Sequence, residues 1–382
     1  MRSVRAQTIY TGNQVLQNAC LVFEGPLVKE VSREVQGELV HECRVITPAL
    51  IDPHSHIGMV RAGEPRAEAE SNDRQDPILV MADALDSLQM DDQALQDAVE
   101  AGVLYSCILP GSGNIIGGRS AVIRNYAADS TRAFVARSGL KAALGYNPMS
   151  TTSWSGSRPT TRMGAMAMLR NRLDQVLVKE KRRQVADEEK KKEIILSVEE
   201  ETLLQVLKGE LLLRVHVHKV DDIAALLRLV DEFSLRVHIE HAMGVHHAEI
   251  FEELARRGIP VVYGPVDAFA YKVELKHENW RNLKHLLSSG VEFGLMTDHP
   301  VTPARQLLLQ ARWLLRLGLD RQQAIEVLTR KNATVLGIQD RLGTLEKGKW
   351  ASFVCWKGDP FDLAGYPEVV YGEGDAVCRA DA

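Results

Sequence analysis

Apolar and polar positions alternate through the first 47 residues in short runs, QTIYTG, ACLVFEG, LVKEVSREV and ECRVIT, separated by Gly12, Gly25 and Gly37. A period of two with turn-forming glycines between the runs predicts a β-meander. The far end of the chain, LGTLEKGKWASFVCWKGDP followed by EVVYGEGDAV, has the same texture. Neither segment carries enough apolar surface to build a core alone. The two ends, residues 1–47 and 342–382, are therefore expected to combine into one small β-sandwich.

Residues 48–341 follow a different rhythm. Near-continuous apolar runs are each followed by a helical pattern. LIDPHSH leads to a helix predicted near 78–101. VLYSCILP, SAVIRNY and GLKAALGY follow. LLLRVHVH precedes DDIAALLRLVDEF, LRVHIEHA precedes HHAEIFEELARRG, IPVVYGP precedes NWRNLKHLLSSG, and VEFGLMTDHP precedes ARQLLLQARWLLRLG. Repeated strand–helix alternation with apolar strands predicts a parallel sheet of the α/β class. Seven or eight such units fit a closed (β/α)₈ TIM-like barrel better than an open sheet, and no GxGxxG turn opens a doubly wound fold. The stretch 169–210, with KEKRRQVADEEKKKE, is charged nearly all round and predicts a solvated helical insertion.

Composition narrows the partners. At 45% hydrophobic and 25% charged, the 382-residue chain has the make-up of a folded globular protein. A net charge of −5 gives no basic surface for nucleic acid. No run of 18 apolar residues offers a membrane span, and the N-terminus lacks the apolar core of a secretory signal. The five cysteines, at 20, 43, 107, 355 and 378, show no CxxC spacing. They argue against a disulfide framework or a thiolate zinc site and for a reducing, cytoplasmic setting. The expected partner is a small-molecule substrate, with homo-oligomerisation left open.

Histidines carry the chemistry. His54 and His56 end the first barrel strand, and residues two apart on a strand share a face. His216 and His218 repeat the pattern at the end of LLLRVHVH, His241 ends LRVHIEHA, and Asp298 ends VEFGLMTDHP. Each alone reads more naturally as a structural strand-end residue. Together they put metal-compatible donors at the same end of four strands, where barrel enzymes keep their active sites. Other features are weaker. The glycine-rich run 110–118 reads first as a tight turn and second as an anion cradle with Arg119 nearby. A regular strand puts His238 and Glu240 on the face opposite His241. His246 and His247 read as surface, and Met163, Met166 and Met168 as helix packing.

TPALIDPHSH, HVH, IEHA and TDHP in this order resemble the amidohydrolase superfamily, nearest to its imidazolonepropionase-related metal-dependent members. Gly343-Thr344-Leu345-Glu346-Lys347-Gly348-Lys349 is similar to a C-terminal signature of that family. The resemblance implies a divalent metal, zinc first with iron or manganese as alternatives. It implies His54, His56, His216, His241 and Asp298 as ligands, with Asp298 also the proton shuttle. His218 and His299 stand beside these positions as substrate contacts or as polar residues bonded to loops. The implied reaction is hydrolysis of an amide or cyclic amide C–N bond by metal-activated water. A deaminase-like His-x-x-Glu is absent, since Asp221 stands at that spacing from His218. The sequence departs from the family at Ala49, at Trp350-Ala351-Ser352, and at Tyr146, where relatives carry glutamate. Without that carboxylate, and with Lys141 read as packing its stem along the strand while its ammonium reaches solvent, a single metal ion is expected. The alternative is a non-catalytic barrel kept for binding or assembly.

Overall fold

The computed structural model describes residues 1–380; positions 381 and 382 of the C-terminal segment lie outside the described residues. Four strands open the chain: β1 (Arg2–Tyr10), β2 (Val15–Glu24), β3 (Leu27–Ser32) and β4 (Glu38–Pro48). Three close it: β13 (Phe353–Trp356), β14 (Pro367–Gly372) and β15 (Asp375–Arg379). The two ends do combine, but as one continuous sheet in the order β15-β14-β13-β4-β1-β2-β3. The join is antiparallel, Phe353 opposite Pro48 and Trp356 opposite Val45. Val4, Leu21, Phe23, Ile46, Phe353 and Tyr371 pack one face of this sheet into a core of its own.

The second sheet has eight strands, β5 (Leu50–Ser55), β6 (Val103–Ile108), β7 (Ile116–Arg124), β8 (Phe134–Ala143), β9 (Leu213–Val217), β10 (Val237–His241), β11 (Val261–Tyr263) and β12 (Phe293–Leu295), paired in chain order. Its edges approach each other: Ser55 bridges His299, and the His56 amide donates to the His299 carbonyl at 3.0 Å. The Asn332 side chain stitches the same seam, donating to the Ile51 and Leu295 carbonyls at 2.7 and 2.9 Å and accepting from the Leu295 amide at 3.0 Å. The sheet is thus barrel-like.

It is not all parallel. β7 runs antiparallel to both β6 and β8. Only residues 109–115 link β6 to β7, too few for the crossover that a parallel pair requires. The helix expected near 78–101 is confined to Gln93–Glu100. Ahead of it lie a short 3₁₀ turn, Ala84–Ser87, and bridges from Ile78 and Asp83 to β7. The charged insertion forms helices Arg162–Val185, Glu188–Glu193 and Val198–Leu207. The first is not polar all round, because Ala165, Leu169, Leu173 and Val176 bury one stripe of it. Met166 and Met168 pack beside that stripe, whereas Met163 is exposed.

Candidate metal centre

β5 delivers His54 at its C-terminal end with the imidazole fully buried, and His56 follows just beyond. β9 delivers His216, then His218; β10 ends on His241; the turn after β12 carries Asp298. Candidate ligand atoms of His54, His241 and Asp298 lie within 4.8 Å of one another, as do those of His216, His218 and His241. His56 Nε2 is 3.3 Å from Asp298 Oδ1. The five expected positions therefore converge, although they come from four separate strand ends.

The outer nitrogens fix which lone pairs face the centre. His54 Nδ1 donates to Glu240 Oε2 at 2.7 Å, His56 Nδ1 to the Leu109 carbonyl at 2.7 Å, and His241 Nδ1 to the Gly264 carbonyl at 2.9 Å. With Nδ1–H committed to oxygen, Nε2 of each ring is left as a bare donor toward the cluster. His241 Nε2 is buried and has no hydrogen-bond partner. Burial, before the neighbouring cations, keeps these rings neutral: His54, His216 and His218 titrate well below the ordinary imidazole range and His241 falls to about 4. Burial opposes ionisation of Asp298, but His241, His56 and His54 outweigh it and hold the carboxyl below the usual range. Three imidazole nitrogens and one carboxylate make a donor set suited to a divalent ion.

The His241 ring reaches this centre by an irregularity. Alternation along β10 sends Glu240 and His238 to the barrel interior and His241 outward. A backbone φ of +77° at His241 turns its ring back inside. Asp298 also has positive φ, +50°. Side chains rarely adopt this region, and here it aims two of the candidate ligands.

Glu240 ties a candidate ligand to an arginine. Fully buried, it holds His54 through one oxygen and accepts from Arg214 Nε at 2.7 Å through the other. Arg214, equally buried, donates onward to the Pro53 carbonyl at 2.8 Å and Ser138 Oγ at 2.7 Å. His238 lies below this layer, and burial lowers its pKa to about 4.

Lys141 contradicts its expected position. Its side chain is fully buried, with Nζ 3.4 Å from His54 Nε2, and no ammonium reaches solvent. Burial lowers its pKa to about 8. Tyr146, in contrast, is 45% exposed and lies outside the histidine cluster. Its neighbour Asn147 faces inward: Nδ2 donates to Ser112 Oγ at 2.6 Å and sits 3.1 Å from His216 Nε2, while Oδ1 accepts from Lys272 Nζ at 2.8 Å. Lys272 in turn contacts Glu274 Oε1 at 2.8 Å. Neither lysine nor Glu274 belongs to a short motif, so the sequence reading passed over Lys272 and Glu274.

The glycine-rich run is neither cradle nor simple turn. The Gly111 and Gly113 amides are spent on the Ser71 carbonyl and Asn72 Oδ1, and Arg119 donates to Thr202 Oγ1. Of its glycines only Gly118 has positive φ. At Gly113 a Cβ would stand 2.5 Å from the Trp154 ring, so the glycine is there for close packing. His218 lines the cavity beside His216 and His241. His299 instead accepts from the Ala304 amide at 3.3 Å and supports the loop after β12. His246 packs its ring at a tilt against His277, centroids 4.2 Å apart, outside the centre.

A family model for the amidohydrolase family matches residues 45–378. The amidohydrolase tasK of Hapsidospora irregularis is 27% identical over 359 residues, which are 88% of this chain and 36% of that one. The imidazolonepropionase of Acinetobacter baumannii is 30% identical over 144 residues, 35% of this chain and 33% of its own. The matched stretch is thus about a third of the length of each of these relatives. Among solved structures, an amidohydrolase from Thermotoga maritima MSB8 superposes with a TM-score of 0.92 at 30% identity, covering 99% of this chain and all of the other. A prolidase bound to N-methylphosphonate-L-proline reaches 0.64 at 15% identity over 99% of both chains, a likeness of fold. With its strand-end histidines and aspartate in one cluster and the family model spanning most of its length, this chain belongs to the amidohydrolase family.

Proposed function

We propose that the protein is a metal-dependent hydrolase of a carbon–nitrogen bond, amide or cyclic amide, working at the mouth of a (β/α)₈-type barrel. The observation that carries this reading is the turning of the Nε2 atoms of His54, His56 and His241 toward one centre beside the Asp298 carboxylate, with each Nδ1–H held from outside. These residues, with His216, would hold the divalent metal, zinc first and iron or manganese as alternatives. A bound ion supplies Lewis acidity, polarising the scissile carbonyl and acidifying water. Asp298, ionised at neutral pH, takes the water proton and returns it to the leaving nitrogen. Glu240 and Arg214 keep the His54 ring in one tautomer and orientation. His218 and Lys272 face the cavity where the substrate would lie.

Lys141 bears on the number of ions. A buried ammonium without a paired carboxylate is costly, and among the described residues its Nζ has only His54 in hydrogen-bond reach. With a pKa lowered to about 8, the free amine is accessible near neutrality. It would add to carbon dioxide, forming an N–C bond and releasing a proton, and the resulting carbamate is anionic. This reading replaces the single-ion expectation: the carbamate, His216 and His241 would hold a second ion, with Asn147 yielding His216, while His54, His56 and Asp298 would hold the first.

The loss of a glutamate at Tyr146 no longer favours a non-catalytic barrel, because Tyr146 lies outside the cluster. Elemental analysis of protein expressed with ample metal tests the proposal together with a hydrolysis panel of small cyclic amides and N-acyl amino acids. About two ions per chain are expected, falling in Lys141→Ala. Wild-type metal content in His54→Ala/His56→Ala would overturn the site, and two ions retained in Lys141→Ala would overturn the carbamate.

A further inference from the structure

The cavity over the metal centre has a volume of about 530 Å³. It does not end at the histidines. A second cavity of about 760 Å³ shares with it the walls formed by Ser112, Asn147, Trp154, Tyr271 and Lys272. The second cavity adds Tyr146 and Val273, which are 45% and 80% exposed. Asn147 and Lys272, bonded to each other at 2.8 Å, form the waist between the two. One cleft therefore runs from the strand-end cluster, past a polar waist, into a groove walled by three aromatic rings.

Tyr146 and Tyr271 are exposed, whereas Trp154 is half-buried. Trp154 is seated where Gly113 leaves no Cβ, and two guanidinium groups, Arg74 and Arg158, lie 5.6 and 5.2 Å from its ring. Lys272 Nζ lies 5.5 Å from the Tyr271 ring. Aromatic walls beside a catalytic cavity bind flat apolar groups through area burial and ring–ring geometry, by edge as well as by face. A compact ring such as an imidazolone in the inner cavity reaches Trp154 and Tyr271 only at the shared wall and leaves Tyr146 in water.

We infer that the substrate is elongated: an amide whose scissile bond lies at the histidine cluster and whose one flank carries an aromatic or comparably large apolar group, which lies on Tyr146, Trp154 and Tyr271. The inference rests on the hydrolase reading above and adds the substrate class. Tyr146 is then a specificity-determining residue.

The test uses the full chain loaded with zinc. N-acetylalanine is compared with N-acetylphenylalanine and N-(3-phenylpropanoyl)alanine, which extend the same amide on either side. At least one extended member should show kcat/KM about tenfold or more above N-acetylalanine. Tyr146→Ala and Trp154→Ala should shrink that ratio several-fold, chiefly through KM. Tyr146→Ala guards against misfolding, since the side chain is half exposed. In parallel, calorimetry compares binding of 3-phenylpropanoate and phenylalanine with acetate and alanine. Hydrolysis with no aromatic preference, or a preference that neither variant reduces, overturns the groove and leaves the hydrolase reading standing. Aromatic binding that depends on Tyr146 or Trp154 without hydrolysis of any amide upholds the groove and overturns the hydrolase reading. Absence of both overturns both.

Discussion

Glu240, fully buried, and Asp298, partly open to the cavity, are both carboxylates within reach of His54, yet the hydrogen bonds assign them different work. Asp298 faces the cavity and has no arginine partner, so it is free to carry a proton. Replacing it with asparagine keeps the shape and removes the base. Turnover should drop roughly 10²-fold or more with circular dichroism unchanged, and near-wild-type turnover would reject the shuttle role. Glu240 is committed on both oxygens. In Glu240→Gln the amide can accept through one atom only, so either His54 or Arg214 loses its partner. Competition with a chelator should show metal affinity weakened about 10- to 100-fold, and an unchanged affinity would remove the positioning role. The neutral histidines also give a pH dependence. Their folded pKa values lie below the unfolded value, so the unfolded chain binds more protons as pH falls. Stability of the metal-free protein is therefore fully present above about 6.5 and is lost as pH falls toward 4, by up to ~1.4 kcal/mol per pH unit for each such ring. Urea denaturation of the metal-free protein at pH 7.5 and pH 5 measures this, and equal midpoints would contradict it.

Among the elements, the strand ends that carry His54, His56, His216 and His241 were legible because apolar runs with a histidine at the last position are rare and recur here in order. Strand direction was not legible. An apolar run reads the same in a parallel or an antiparallel pair, and only the short link 109–115 held the information that β7 must reverse. The same blindness hid Lys141, Arg214 and Glu240. Charged residues inside apolar runs resemble surface positions until the sheet curls and its inner face becomes a polar interior. The inner face did leave a trace, since Arg214, His216 and His218 recur at a spacing of two, as do His238 and Glu240. Nothing in the sequence marked Asn332, which sits in a short helix, Asn332–Val335, with no motif of its own. Its amide satisfies three backbone groups across the seam between β5 and β12. Asn332→Ala leaves those groups unpaired in a buried site and should cost of the order of 3 kcal/mol. Chemical denaturation that shows no measurable loss would mean that the seam closes without it.

At the scale of the whole molecule, the union of the two chain ends was legible from their shared texture and from the shortage of core in each. That they form one sheet was not, because hydrogen-bond partners several hundred residues apart leave no local pattern. The join matters for more than shape. Removing residues 342–382 would strip β13 from β4 and expose an apolar edge, and such edges recruit other strands. The truncated chain should aggregate, as size-exclusion chromatography would show, and a monodisperse product would contradict the role of the join. During synthesis the intact chain passes through the same condition. β4 leaves the ribosome about three hundred residues before β13, which at roughly 5–20 residues per second leaves its edge open for some 15–60 seconds. For that interval the nascent chain presents a bare strand to every neighbour, and a chaperone that shields it until the last strands arrive would raise the yield of folded protein.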